Sequence, residues 1–513
     1  MMTQNSDAES QEFSDLIALR MLRFDFLLKK GKFNFKKYQY DGVEWCIRNE
    51  LKPKSFKGGF IADEMGLGKT IMMIGTMFSN FLPRTLIVVP PVLIQQWYNE
   101  IYKASGHKAL MYYGNQKQLI STDALSTARI VLTTYNMILP DKCDIKNILW
   151  NRVIFDEAHH LRNNNTKRFE SCCKIRAPIR WLVTGTPIQN KKTDFYNLCN
   201  AAGMKSTFYK DPENLRIIGK QYVLRRTKAQ VGIDLLPVCK TDCVVPWKNL
   251  VEQRLSQEIH SMLPHKMSVC FFKDRYINDT FSKKDMLVAI MRARQSCVMP
   301  ALIKGHLELV TDGSYEEAFQ HSSKLDAVIT MILGRKNNGK GKIIFCHYIK
   351  EIDVIATRLR KGGMLKVTTY DGRNSGGDAL STLAEPADAL VIQIQTGCEG
   401  LNLQHHFSEI YFVSPHWNPC VEDQAVARCH RIGQTKQVDV FKFEMSGFED
   451  KEDKEDKEDK EDKEDKEDKE DKEDKEEDKE EDNFTLETYI NKVQHLKRCF
   501  SKEILLLNDD LLV

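Results

Sequence analysis

Apolar residues along the chain fall into short, nearly continuous runs. Such runs predict strands buried on both faces of parallel sheets rather than strands with one wet face. Four come early: "TLIVVP" from Thr85, "IVLTTY" from Ile130, "RVIFDE" from Arg152 and "RWLVTG" from Arg180. Five come late: "KIIFCH" from Lys342, "LKVTTYDG" from Leu365, "ALVIQI" from Ala389, "EIYFVS" from Glu409 and "VDVFKF" from Val438. Stretches with helical spacing separate them, Leu93 to Lys103 and Ile349 to Leu359 among them, so the alternation predicts two α/β units. From about Phe208 to Thr330 strand runs are few and helix formers many, as in "LVEQRLSQEIHSML" and "KKDMLVAIMRARQSCV". This stretch is expected to be a helical connector. A third independent domain is the other reading, without a glycine pattern to suggest a site of its own.

At 513 residues the chain is long enough for several domains. Its longest apolar candidate, "TLIVVPPVLI", falls short of the roughly 18 residues a membrane helix needs and is broken by Pro90 and Pro91, so no membrane partner is expected. The polar, acidic start "MMTQNSDAESQEFSD" has neither the basic nor the apolar region of a secretory signal, and an intracellular chain is expected. The 14 cysteines are scattered, as buried small apolar residues would be. Cys239 and Cys243 have a metal-like spacing but no second close pair to complete a tetrahedral site, so no zinc cluster is assigned.

Net charge is +3, but one segment hides the balance. Glu449 to Asp482 is a "KED" repeat of 34 residues, with 10 lysines against 24 acids, or −14. The remainder has 65 basic and 48 acidic residues, or +17. A basic body suits a polyanionic partner, although surplus lysine also serves solubility alone. In a helix the repeat would set like charges at every i,i+3 pair within its regular triplets, and it has no apolar face to bury. It is therefore expected to be a disordered insertion.

"GGFIADEMGLGKTIMMIG", Gly58 to Gly75, carries the first candidate chemistry. An apolar run ends at Phe60 and Ile61, Gly66 and Gly68 let backbone N–H groups close on a phosphate, and an apolar helix follows from Ile71. Lys69 would reach the β- and γ-phosphates, and Thr70 would hold Mg²⁺ through its hydroxyl. Asp63 stands where the general G-x-x-x-x-G-K-[ST] pattern has its first glycine, and a plain glycine turn between strand and helix remains open on these residues alone. The second motif, "VIFDEAHHL", decides for the phosphate loop. It ends a buried strand in two acids that are costly to bury without a cation. Asp156 is positioned to hold the Mg²⁺ shell and Glu157 to accept a proton from attacking water, within the motif Asp156, Glu157, Ala158 and His159.

In order along the chain stand "DEMGLGKT", "DEAH", "WLVTGTPIQN" (Trp181 to Asn190), "LRRTK" (Leu224 to Lys228), "GCEGLNL" (Gly397 to Leu403) and "DQAVARCHRIGQ" (Asp423 to Gln434). The chain resembles Swi/Snf-type ATPases of helicase superfamily two from about Phe33 onward, apart from the charge repeat. Its compact size and "CVEDQAVARCHRIGQ" most resemble the global transactivator proteins of baculoviruses. The resemblance implies two RecA-like lobes with ATP in the cleft and Mg²⁺ beside it, double-stranded DNA across both, and stepwise movement generally without strand separation. The boundaries then read 1–32 for an N-terminal extension, 33–207 for the first lobe, 208–330 for the connector, 331–448 for the second lobe, 449–482 for the insertion and 483–513 for a closing helix packed on the lobes.

Carried over residue by residue, the resemblance implies that Gln39 contacts adenine and that Ala62, Asp63, Glu64, Met65, Gly66, Leu67, Gly68, Lys69 and Thr70 form the nucleotide loop. Arg428 and Arg431 match the arginines offered to the γ-phosphate, Thr184 and Thr186 the coupling segment, and Gln96, Thr134, Thr396 and Asn402 lie in segments that line the nucleic-acid path. Gln39 could equally be a helix-surface amide. Arg428 and Arg431, three apart on an expected helix, could pair with surface acids instead. Trp417 reads as core packing, with DNA stacking as its alternative. Cys398 follows Gly397 where the family often has two glycines, which restricts that hinge. The expected function is a DNA-dependent ATPase that remodels contacts between DNA and bound proteins in transcription or replication control, in the nucleus, or the host nucleus if the chain is viral. An ATP-switched DNA-binding regulator with negligible turnover would have lost Lys69, Glu157 or an arginine, and none is lost. A strand-separating DNA or RNA helicase shares the ATP chemistry and is distinguished by which nucleic acid stimulates it.

Overall fold

The computed structural model describes residues 2–52, 56–185, 192–263, 283–307, 315–363, 365–374, 387–397, 401–448 and 485–509. The charge repeat, Thr186, Cys398 and most of "GTPIQN" lie outside them. The chain divides into two compact units, one built from 1–235 with 497–513 and the other from 236–496.

The first unit holds a sheet whose strands, in chain order, are β1 (Lys57–Ile61), β2 (Thr85–Val89), β3 (Leu110–Tyr112), β4 (Ile130–Thr134), β5 (Arg152–Asp156), β6 (Ile179–Val183) and β7 (Val223–Leu224). Their spatial order is β3-β4-β2-β5-β6-β1-β7, with every pairing parallel. The runs are continuously apolar because both faces are covered. On β2, Ile87 and Val89 join one core while Leu86 and Val88 join the other, and on β5 Ile154 is parted in the same way from Val153 and Phe155. The second unit repeats the design with β8 (Cys239–Val245), β9 (Gly341–Cys346), β10 (Val367–Tyr370), β11 (Ala389–Gln393), β12 (Phe407–Phe412) and β13 (Asp439–Met445) in the order β10-β11-β9-β12-β13-β8, again parallel throughout.

The stretch expected to be helical thus also completes both sheets. β7 is two residues long, and β8 is an edge strand with Cys239, Lys240, Thr241 and Asp242 exposed, so neither carries an apolar run. The two helices quoted from this stretch form as Leu250–Ser261 and Lys283–Val298.

Buried charge fixes two helices to their sheets. Glu50, at the end of the helix Lys37–Leu51, accepts from Arg152 at 2.6 and 2.5 Å, from the Trp181 indole at 2.8 Å and from Asn80 at 2.6 Å. Glu50 and Arg152 are both buried, and four donors satisfy the carboxylate. In the second unit Glu487, in the helix Leu486–Asp509, pairs with Lys324 where both side chains are fully buried, and it accepts from the Met445 amide at 2.9 Å. Burial pushes His260 down to about 4. The neutral ring donates from Nδ1 to the Ser256 carbonyl at 2.7 Å and accepts the Leu486 amide on Nε2 at 3.0 Å. Trp417 is half-buried, edge-on to Tyr489, in the packing role its sequence suggests.

Candidate active site

Three loops leave the carboxyl ends of adjacent strands β5, β6 and β1, where open parallel sheets put their ligands. The loop after β1 runs from Ala62 to Gly68 and turns sharply at Gly66 (φ 90°) and Gly68 (φ 83°). Both angles are easy for glycine and strained for other residues. A Cβ on Gly68 would come within 2.3 Å of Gln39 Nε2, so the loop closes onto that glutamine. The helix Lys69–Ser79 follows, with Thr70 in its first turn and its orphan N–H groups facing the loop.

Gln39 is buried and donates to the Leu67 carbonyl at 2.9 Å, so it is no free surface amide. Lys69 Nζ donates to the Asp63 carbonyl at 2.9 Å and lies 3.5 Å from that of Glu64. The Asp63 side chain is fully buried. It takes two bonds from Arg226, at 2.6 Å from Nη2 and 3.1 Å from Nε, and Arg226 also donates to the Tyr38 carbonyl. One step along, Lys228 pairs with Glu64 at 3.0 Å while its amide donates to the same carboxylate at 2.7 Å. The backbone joins in: Ala62 N donates to Leu224 O at 2.7 Å and Glu64 N to Arg226 O at 2.9 Å. The acid in place of the first glycine is therefore one half of a clamp. Arg226 and Lys228 of "LRRTK" are the other half, a role the sequence reading did not assign them. A buried acid in a phosphate loop, needing a cation from elsewhere, was the signal available.

The second loop follows β5. Asp156 accepts from the Trp97 indole at 2.7 Å on one oxygen and from the Glu157 amide at 3.0 Å on the other. Its backbone carbonyl takes the Tyr135 hydroxyl at 2.7 Å. Burial, and then the charge of Glu157, push Asp156 up to about 6. Glu157 has φ 49° and ψ 49°, and among the described residues only it and Lys32 are non-glycine residues with positive φ. That conformation costs on the order of 1–3 kcal/mol and is typical of functional positions. It swings the chain out of β5 into the short helix Ala158–Leu161, and the Glu157 carboxylate comes 3.3 Å from His159 Nδ1.

The third loop follows β6. Thr184 is fully buried, and its amide donates to Ile61 O at 3.0 Å, tying this loop to the root of the first. A Cβ on Gly185 would stand 3.0 Å from the Met65 side chain and 3.5 Å from Lys69 Nζ. Gln96 and Thr134 lie farther along the same sheet edge, on the helix Ile94–Ser105 after β2 and at the end of β4.

A glycine-walled cradle, a lysine, a helix start and two crowded buried acids together fit a magnesium-bound triphosphate. Asp156, with its pKa raised, would regain its charge beside a divalent cation, and Thr70 and Asp156 are the residues to hold one.

The second unit brings Asn402 and Arg431 together: Arg431 Nη1 donates to Asn402 Oδ1. Thr396 lies in the short helix Ile394–Gly397 after β11. Arg428 and Arg431 do not share a helix face, contrary to the sequence expectation. The helix Pro419–Val426 ends before both, and turns follow. The Arg428 carbonyl is drawn off by the Leu403 amide at 3.2 Å, so the backbone is satisfied by tertiary pairing and the helical ladder stops.

Residues 38–302 match the model of the SNF2-related domain, and residues 323–433 match that of the helicase conserved C-terminal domain. The chain is 29% identical over 435 residues to an uncharacterized ATP-dependent helicase of Mycoplasma genitalium, covering 80% of this chain and 40% of that protein. It is 26% identical over 445 residues to the probable global transactivator of Orgyia pseudotsugata multicapsid polyhedrosis virus, covering 80% and 86%. It is 28% identical over 467 residues to human chromodomain-helicase-DNA-binding protein 6, covering 80% of this chain and 17% of that one. A solved structure of the Sulfolobus solfataricus SWI2/SNF2 ATPase core in complex with double-stranded DNA aligns over 81% of this chain and 88% of its own, with 24% identity and a TM-score of 0.37. Among the described residues no helix is long and apolar enough to cross a membrane.

Proposed function

From the premise that this chain belongs to the SNF2-related domain family, we propose that it is a DNA-dependent ATPase that moves along double-stranded DNA and remodels protein–DNA contacts in transcription or replication control, in a nucleus. The observation that carries the ATPase reading is the strained, buried Glu157 beside Asp156, with only β6 between their strand and the one that leads into the loop of Lys69. In this reading Glu157 orients the attacking water and takes its proton, as a carboxylate held in place by its own backbone can. Lys69 leaves its loop carbonyls for phosphate oxygens, and the N–H groups of the cradle bind the rest. Mg²⁺, held by Thr70 and Asp156, would offset phosphate charge. Arg428 and Arg431 add positive charge at the transferred phosphoryl group, with Asn402 orienting Arg431.

Support for a DNA partner is the +17 body outside the charge repeat, together with relatives named as helicases and as a DNA-binding protein. Gln96, Thr134, Thr396 and Asn402 are assigned to its path, and Thr184 and Thr186 to coupling. The test is ATP hydrolysis by the full chain with duplex DNA, single-stranded DNA and RNA. Duplex should stimulate most, and log affinity should fall linearly with log salt with a slope of several neutralised phosphates. Stronger stimulation by RNA or single strands would replace this reading with a strand-separating helicase, and no hydrolysis under any condition would leave an ATP-switched binder.

A further inference from the structure

The helix Met2–Lys30 is apolar on two sides. One side, with Ile17, Met21, Phe24, Leu27 and Leu28, is buried in the first unit's core, and a Cβ on Gly75 would collide with the Phe24 ring at 2.5 Å. The other side faces outward: Leu19 is 53% exposed, Leu22 63% and Phe26 67%. Beside it runs a groove of about 640 Å³, walled by Phe78, Phe81, Ala104 and Arg129. Scattered exposed leucines need no explanation, but a contiguous stripe along a groove marks a contact surface.

The outward stripe has a defined spacing. Glu12, Leu16, Leu19, Arg23, Phe26 and Lys30 follow one another at intervals of 4, 3, 4, 3 and 4 residues, the seam of a paired helix. Placed antiparallel on a second copy about a two-fold axis through the middle of the stripe, level with Met21, the stripe meets itself. Leu16 faces Phe26 of the second copy, Leu19 faces the stem of its Arg23, and Glu12 faces its Lys30. Asp15, one turn before Leu19, is in reach of the same Arg23. The charges suit this direction, since Glu12 and Asp15 stand in the first half of the helix and Arg20, Arg23, Lys29 and Lys30 in the second. Lys30 and Arg23 are steadied from the groove wall, where Lys30 Nζ donates to Ser105 O at 2.5 Å and Arg23 Nη1 to Ser79 O at 3.4 Å.

We propose that this stripe is a self-association surface through which two copies of the chain pair antiparallel by their N-terminal helices. The interface is isologous, so each contact occurs twice and the assembly closes at a dimer. The test is sedimentation velocity of the full chain from about 1 to 100 μM, a range that brackets a modest interface. The expected result is a concentration-dependent species of twice the chain mass. Leu19→Asp should weaken association about 100-fold or more by placing charge at the centre of the seam. Its melting temperature and ATP hydrolysis should match the parent. Glu12→Lys and Lys30→Glu change exposed side chains, Lys30→Glu also giving up the bond to the Ser105 carbonyl, so the melting temperature of each is read alongside; each should weaken association several-fold, and together they should restore it. A parent chain still monomeric at about 100 μM would overturn the proposal, and would mean that the stripe serves a different protein. A dimer indifferent to Leu19→Asp, or a double charge swap weaker than either single one, would overturn it equally.

Discussion

Removing the Arg226 side chain should damage the first unit more than any change at an exposed residue. Asp63 has no solvent exposure, and Arg226 supplies two of its hydrogen bonds, at 2.6 and 3.1 Å. Breaking such a buried pair from one side costs about 3–5 kcal/mol, because the remaining charge keeps its desolvation penalty without its partner. For a unit of this size each kcal/mol is worth roughly 2–4 °C, so Arg226→Ala should lower its melting transition by roughly 6–20 °C. Tryptophan fluorescence can follow it, since Trp45, Trp97, Trp150 and Trp181 lie in this unit and only Trp247 and Trp417 in the other. Arg226 also holds the loop whose Asp63 carbonyl receives Lys69, so KM for ATP should rise even where the variant is fully folded. A cycle of Arg226→Ala, Asp63→Ala and the double variant isolates the pair, with an expected coupling above about 1 kcal/mol. A melting shift under about 2 °C, or additivity of the two single changes, would refute the clamp.

Lys69→Ala and Glu157→Gln should each abolish ATP turnover in a folded protein, and Glu157→Gln should still bind nucleotide by fluorescence titration, because the amide keeps the shape and loses the base. Arg431→Ala should lower kcat on the order of 10³-fold with little change in ATP affinity, and Asn402→Ala should give a smaller loss of the same kind if it orients that arginine. With Asp156 pushed up to about 6, binding of magnesium nucleotide must displace a proton below that pH; affinity measured by calorimetry should fall up to about tenfold per unit there and level off above 7. Glu157→Gln removes the neighbouring charge and should move that midpoint down, while in the unliganded parent the raised group makes stability decline as pH climbs from the ordinary carboxylate range to about 6. Deleting Lys451 to Lys479 should spare maximal ATP hydrolysis and tighten DNA binding at low salt, because that stretch has 10 lysines against 19 acids and its net −9 no longer competes with phosphates.

The strands buried on both faces could be read directly, because a residue that must fill a core whichever way it points has to be apolar at every position. β8 could not: as an edge strand with its outer positions in water it needs only backbone pairing with β13, and "CKTD" satisfies that as well as any apolar run. The glycine loop after β1 and the two acids that end β5 stood out in the sequence because the chemistry proposed for them restricts residue type at fixed spacing. Arg226 was not, since its partner Asp63 lies far off in sequence and nothing local distinguishes one arginine of "LRRTK" from the next. The helix expected to carry Arg428 and Arg431 fails for a related reason, as the Leu403 amide that ends the ladder comes from a different loop. Non-local partners, rather than weak local signals, set the limit.

The pairing of Lys324 with Glu487 has a consequence for the order in which the protein can be made. The sheet of the first unit is closed by β7, so that core can form soon after Leu224 leaves the ribosome. The second unit has no such start: β8 emerges early but must wait for β13, and Lys324, fully buried in the finished protein, waits for Glu487. Between β13 and that glutamate lies the 34-residue charge repeat, which adds roughly 2–7 s at ordinary translation speeds of about 5–20 residues per second. During that interval an unpaired lysine and the unfilled seat of the last helix stay open to chaperones and to neighbouring nascent chains. The length of the repeat is therefore also a delay in synthesis, and expansion or contraction of the triplets would lengthen or shorten the vulnerable period while Lys324 and Glu487 themselves stay the same.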